Sequence, residues 1–276
     1  MILVTGATGN IGRNVVHCLH REGRRVRALS RHARPADFPA GVDVIAGDMT
    51  DPAVLKTALE GVEAAFLFPL FGRITPFLDA ASDRGLERVV MLSSSTVTFD
   101  EPGWIGHQHR LLEDEVRATG LTASFVRPDV FMANDLAWAA EIRSSRTVRL
   151  AYPDAATAPV DERDIAALAA HALTETTVAA AYEITGPESL TQADRVDIAA
   201  SVLGHPIELG ELSHDEAVAE HGRVMPTEAA EFLVDTLRSQ VGNTAVTTDT
   251  LREVAGRPPH SYAEWVAHHR DDFSPR

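Results

Sequence analysis

Short runs of β-branched and other apolar residues alternate with stretches of helical periodicity through the first half of the chain. The runs fall at residues 2–5, 25–30, 42–46, 64–68, 89–93 and 123–127. They are nearly continuous in apolar character, the pattern of strands covered on both faces. Helical stretches lie between them, near 11–22, 52–60, 74–85, 106–119 and 130–143. Strand and helix in strict succession predict an α/β fold with a Rossmann-like, doubly wound parallel sheet. The first helical stretch carries Ile11, Val15, Cys18, Leu19 and Glu22 on one face, which predicts a buried stripe that includes Cys18.

Beyond about residue 150 the rhythm weakens. A strand is expected at 182–185 and helices near 162–174, 191–203, 214–221, 226–240, 249–255 and 261–270. Gly204-His205-Pro206 and Gly256-Arg257-Pro258-Pro259 punctuate this half as loops. The expected organisation is a main part over 1–150 and a smaller, mostly helical α/β cap over 151–276. The cap would pack on the sheet's carboxyl edge without folding independently.

Composition narrows the function. The 276 residues hold 25 Lys+Arg against 40 Asp+Glu, a formal charge of −15. That balance argues against nucleic acid as a partner, because phosphate contacts draw on Lys and Arg. No apolar run reaches the length of a membrane span. Met1-Ile2-Leu3-Val4 leads straight into a strand without a basic leader, and Cys18 is the single cysteine. A cytoplasmic protein, monomer or homodimer, is expected.

The most informative stretch is Thr5-Gly6-Ala7-Thr8-Gly9-Asn10-Ile11-Gly12, between the first strand and the first helix. Gly6 permits a tight turn, Gly9 lets backbone approach a pyrophosphate, and Gly12 lets helix and strand pack closely. Thr8, Asn10 and Ile11 complete a turn whose helix N-terminus offers free N–H groups to phosphate. The spacing is Gly-x-x-Gly-x-x-Gly. With Gly47-Asp48-Met49-Thr50-Asp51 after the third strand, it resembles the atypical short-chain dehydrogenase/reductases, and more narrowly the NmrA-like NAD(P)-binding family. Ser93-Ser94-Ser95, Val126-Arg127-Pro128, Phe131-Met132-Ala133-Asn134 and Pro159-Val160-Asp161 extend the resemblance down the chain.

The second strand ends in Ser30-Arg31-His32-Ala33-Arg34, without the carboxylate that accepts from the ribose of NAD. Ser30, Arg31 and Arg34 suit a 2′-phosphate instead, so NADP(H) is expected over NAD(H). The resemblance further implies that Asp48 and Met49 flank the adenine, that Phe68 and Pro69 pass the ribose, and that Ser93 touches the cofactor.

Active short-chain dehydrogenases pair a Ser after the fifth strand with a Tyr-x-x-x-Lys on the next helix. Taking Glu113 as the register mark, His109 stands at the Lys position and Ile105 at the Tyr position. Isoleucine exchanges no proton, so His109 becomes the expected acid/base, oriented by Glu113 one turn on, with Ser94 as its companion and His107 in reserve. A metal is not expected, since His107 and His109 have no third ligand close by. An apolar pocket is expected from Phe68, Leu70, Phe71, Trp104, Phe131, Trp138 and Tyr152, with Asn134 as its polar group. The resulting expectation is a reductase of a small apolar quinone, enone or related carbonyl compound. A redox-neutral isomerase, cyclase or lyase, or a non-catalytic NADP(H) sensor, would use the same fold.

Overall fold

The structure is a computed structural model and describes residues 1–274; the last two residues of the expected cap lie outside the described residues. Seven parallel strands form the main sheet: β1 (Ile2–Thr5), β2 (Val26–Ser30), β3 (Asp43–Ala46), β4 (Ala64–Leu67), β5 (Arg88–Leu92), β6 (Thr122–Pro128) and, from the second half of the chain, β9 (Ala181–Ile184). Their order in the sheet is β3-β2-β1-β4-β5-β6-β9. Every run expected to be a strand is one, displaced by no more than one residue at either end.

Alternate residues of the strands enter different cores, which is why the runs read as continuously apolar. Ile2 and Val4 face one side with Val15, Leu19 and Ile165, while Leu3 faces the other with Leu55, Phe77 and Val116. The first side is covered by α1 (Asn10–Arg21) and α6 (Glu162–Thr174), and the second by α2 (Pro52–Ala58), α3 (Thr75–Asp83) and α4 (Gly103–Ala118). The α1 stripe differs from the expected one. Val16 is buried, Cys18 is only half-buried with Arg21 donating to its sulfur at 3.4 Å, and Glu22 is exposed at the helix end.

The rest of the second half builds a third core. A single helix expected over 130–143 is instead a 3-10 stretch, Met132–Trp138, followed by α5 (Ala139–Ser145). The reason lies just upstream: Val160 N–H donates to Val130 at 2.8 Å, and Met132 N–H donates to Val160 at 2.9 Å. This bridge holds residues 130–132 extended, and the helix can begin only beyond it. Two short pairings joined by distant residues had no sequence signal: β7 (Thr147–Leu150) runs parallel to β11 (Glu208–Glu211), and β8 (Ala156–Thr157) pairs antiparallel with β10 (Leu190–Thr191). The remaining helices are α7 (Gln192–Leu203), α8 (His214–His221), α9 (Thr227–Ser239), α10 (Thr250–Ala255), α11 (Tyr262–His268) and α12 (Arg270–Phe273). Glycines close two of them in the left-handed conformation, Gly204 after α7 and Gly256 after α10. No helix among the described residues is long and apolar enough to cross a membrane.

Candidate functional site

The strand order reverses between β1 and β4, and α/β sheets bind ligands at the carboxyl ends of strands at such a point. Thr5 ties these two ends together, donating to Phe66 O at 3.0 Å and accepting from Phe68 N–H at 2.8 Å. The backbones are so close that a Cβ on Gly6 would stand 2.9 Å from Phe68 Cβ, and Gly6 adopts φ +61°. A Cβ on Gly12 would fall 2.3 Å from the Gly6 carbonyl oxygen, so Gly12 packs α1 against the turn itself. Gly9 differs from both. Its φ is −77°, ordinary for any residue, and its Cβ would meet only the Gly6 oxygen at 3.3 Å. A side chain there would need only a few tenths of an ångström from the Gly6 carbonyl, a much smaller demand than at Gly6 or Gly12, and it would stand where a ligand approaches the turn.

A cleft of about 290 Å³ opens over this turn. Gly6, Thr8 and Gly9 form its floor, and Ser30 and Arg31 close the β2 end. Asp48, Met49, Phe68 and Leu70 line the remainder, together with Leu29, Gly47 and Arg73, which the sequence reading did not place there. Thr8 and Ser30 hydroxyls are 2.7 Å apart, linking the glycine turn to β2. No side chain caps α1, which leaves the positive end of a helix facing the cleft. Arg31 is exposed and takes part in no ion pair among the described residues. Arg34 is instead engaged, its Nη2 3.0 Å from Asp37, and it does not line the cleft. Asp48 accepts from the Thr50 N–H and hydroxyl at 2.9 and 2.8 Å, bonds that hold its carboxyl below the ordinary value. Asp51, three residues on, caps α2 by accepting from Ala53 N–H. An open helix start, a glycine floor and an unpaired guanidinium fit a dinucleotide phosphate.

Ser93 and Glu113 lie deeper. Glu113 is buried and accepts from Ser93 Oγ at 2.6 Å, from Arg117 at 2.6 Å, and from Arg127 in a fork at 2.9 and 2.7 Å. Burial pushes this carboxyl up, but the bonds from Arg127, Ser93 and Arg117 outweigh it and hold the group below its usual range. Glu113 consequently does not orient His109, because charged donors and a hydroxyl fill its oxygens. His109 is buried with Nδ1 unpartnered, packed edge-on against Phe71 at 5.0 Å between ring centroids, while Phe71 meets Trp104 at 5.5 Å. Burial lowers its pKa to about 4, so the imidazole is neutral at working pH. His109 lines neither the cleft over the glycine turn nor the second cavity below. Ser94 caps the following 3-10 turn and bonds Thr96, and His107 is exposed.

The expected pocket residues separate. Leu70 lines the cleft over the glycine turn, Phe71 and Trp104 form the aromatic cluster around His109, and Phe131 packs into the core beside β6. Asn134 is exposed. Trp138 lies under Arg195, 5.3 Å from the ring centroid, and Tyr152 bonds His214 at 3.0 Å. A second cavity of about 290 Å³ lies between the main sheet and the C-terminal part, entered by the turn after β5 and the end of β6. Its polar lining includes Ser95, Thr98, Asp129 and Thr157. The sequence signal for Asp129 was available: an acid directly after Val126-Arg127-Pro128, at the carboxyl end of a parallel strand. A larger hollow of about 920 Å³ lies at the far end of α1 from the glycine turn. Its Arg163, Arg257 and His260 are paired with Asp161 or Asp164.

Comparison with known proteins agrees with this geometry. Residues 6–176 match the model of a family described as NAD(P)H-binding. The chain is 39% identical, over 100% of both sequences, to the (4-alkanoyl-5-oxo-2,5-dihydrofuran-3-yl)methyl phosphate reductase of Streptomyces griseus. It is 31% identical to the NAD(P)H azoreductase of Xenophilus azovorans, over 99% of each. Among solved structures, the Escherichia coli quinone oxidoreductase QOR2 in complex with NADPH superposes with a TM-score of 0.80 at 26% identity, covering 97% of this chain and 99% of that one. Glycine turn, strand order and these likenesses together make the chain a member of the NAD(P)H-binding family, in its NmrA-like branch of atypical short-chain dehydrogenase/reductases.

Proposed function

We propose that the protein is an NADPH-dependent reductase of a small, largely apolar conjugated carbonyl compound, an enone or a quinone. The observation that carries this reading is the cleft at the β1–β4 switch point, where an uncapped helix start and a glycine floor meet a β2 end that offers Ser30 and Arg31 and no carboxylate. The α1 N-terminus and the Gly6–Gly9 backbone would hold the pyrophosphate, and Arg31 with Ser30 would take the 2′-phosphate. Arg73, across the cleft, adds a second cation and is bonded to Thr50 at 3.3 Å. When bound, the dinucleotide supplies a hydride. The relatives named above reduce, by their names, an alkanoyl dihydrofuranone carrying a methyl phosphate, an azo compound and a quinone. Each presents an electron-poor conjugated centre, which supports the enone or quinone class.

The reading is tested by following NADPH absorbance with cyclohexenone, menadione and methyl red as acceptors. Turnover with the enone or the quinone is expected, faster with NADPH than with NADH. Gly9→Val should abolish it while circular dichroism stays unchanged, because the new side chain occupies cleft space at an ordinary φ and asks only a small shift of the Gly6 carbonyl. Tight NADPH binding without turnover of any acceptor would replace the reductase by a sensor or a redox-neutral enzyme.

A further inference from the structure

A conjugated reduction needs a proton as well as a hydride, and the residues aligned with the usual donor leave that proton without a source. Ile105 has none to give, and neutral, buried His109 lines neither the cleft over the glycine turn nor the second cavity. The second cavity holds a better candidate. Its position continues the line of the cofactor cleft: the cleft covers the ends of β1, β2 and β4, and this cavity covers the ends of β5, β6 and β9. Phe99, Val130 and Val246 supply apolar wall. Asp129 is fixed there by the sheet itself, its N–H donating to Ile184 O at 3.0 Å where the β6–β9 ladder ends. Among the described residues no cation lies within ion-pair distance of its carboxyl; Arg127, which lines the same cavity, is held by Glu113 and approaches Glu183 at 3.9 Å. A second polar group awaits a partner in this wall. Thr157 is 7% exposed, lines the cavity, and its buried hydroxyl oxygen has no hydrogen-bond partner.

We propose that this cavity receives the conjugated carbonyl compound, with Thr157 bonding its oxygen, and that Asp129 is the catalytic acid that replaces the missing tyrosine; the inference rests on the reductase reading above. As the enone's β-carbon accepts a hydride, its C=C π electrons move toward the carbonyl to form an enolate. The Asp129 O–H bond breaks and its proton passes to the enolate, giving the saturated ketone. The Asp129 carboxylate then regains a proton from water. The ionisation of Asp129 suits the role: burial pushes its carboxyl up, against the weaker pull of the Val130 and Ala158 N–H groups. The charged groups that share its cavity are Arg127 and Glu183, which neighbour each other. Raising a carboxyl by burial moves it toward the protonated form that a proton donor needs.

Two measurements on the full chain test this. Infrared spectra of the protein without cofactor, recorded across pH, should show a neutral carboxyl band at pH 7 that Asp129→Asn removes. With cyclohexenone at saturating NADPH, Asp129→Asn should lower kcat by about 10²–10⁴-fold and erase the alkaline fall of the pH profile, with NADPH affinity unchanged. Asp129→Glu should recover part of the rate. An ionised Asp129 at pH 7, or an Asp129→Asn variant with wild-type kcat and pH profile, would overturn the assignment while leaving the reductase intact. Wild-type protein that reduces none of the acceptors would remove both readings together.

Discussion

At the residue scale, glycines and histidines that look equivalent in sequence do different work. Gly6 and Gly12 are demanded by the turn itself, where a Cβ would press hard on Phe68 or on backbone, whereas a Cβ at Gly9 would meet only the Gly6 carbonyl, at 3.3 Å, and otherwise enter the cleft. His109 is shaped by its neighbours in the same way. Its pKa near 4 in the folded protein, against 6.5 when exposed, means that an unfolded chain takes up a proton the folded one refuses. The associated stability is present above pH 6.5 and is lost as pH falls toward about 4. His109→Phe, which keeps an aromatic ring against Phe71 and removes the unpartnered Nδ1, should flatten that loss. A 2.5-unit difference corresponds to about 3 kcal/mol, so urea unfolding at pH 7 and pH 4.5 should show wild type losing up to about 3 kcal/mol more than the variant. Equal losses in the two proteins would mean that His109 is solvated.

At the scale of elements, a buried charge network joins the C-terminal part alongside its apolar core. Arg195 on α7 meets both Asp135 oxygens at 2.8 and 2.7 Å, and Tyr262 on α11 donates to Asp135 at 2.7 Å. All three are buried, so one network ties the 3-10 stretch to two helices. Burial pushes Asp135 up against the attraction of Arg195. Removing one partner strands the other: Arg195→Met should lower unfolding stability by about 3–5 kcal/mol, and Tyr262→Phe by about 1 kcal/mol. Urea midpoints of the two variants give the comparison, and equal small effects would show the ion pair to be dispensable. A neighbouring group works alongside it. Glu162 accepts from Trp265 Nε1 at 3.0 Å and bonds His269 at 2.8 Å, joining α6 to the C-terminal helices.

At the scale of the molecule, a chain of net charge −15 still places two arginines at the cleft where an anionic cofactor would enter. Arg31 and Arg73 stand at the cleft, each close enough to draw on Asp48. A ligand that binds only the folded state stabilises it by about 2.7 kcal/mol at a concentration 100 times its Kd. At equal concentrations, NADPH should therefore raise Tm more than NADH does. Arg31→Ala should weaken NADPH by about 1–3 kcal/mol, the scale of a charge-assisted bond, and leave NADH nearly unchanged. Thermal shifts reduced equally for both cofactors would show that Arg31 does not read the 2′-phosphate.

The sequence by itself determined the sheet, its strands and the phosphate turn, because these rest on local signals: continuous apolar runs for two-sided burial, and glycines where backbone must turn. The acid-free end of β2 was legible for the same reason, since only neighbouring residues are involved. What the tertiary structure decided depends on residues distant in the chain. Arg127 and Ser93 take the Glu113 oxygens that helical spacing had offered to His109, and Asp37 takes Arg34 away from the cleft. The extended bridge to Val160 shortens the helix expected at 130–143. Asp129 and Thr157 share a cavity only because β6, β8 and the loop after β5 converge on it. Periodicity reports which side of an element is buried; it carries no record of which distant partner satisfies a polar atom there, and the candidate chemistry of this protein is settled by such partners.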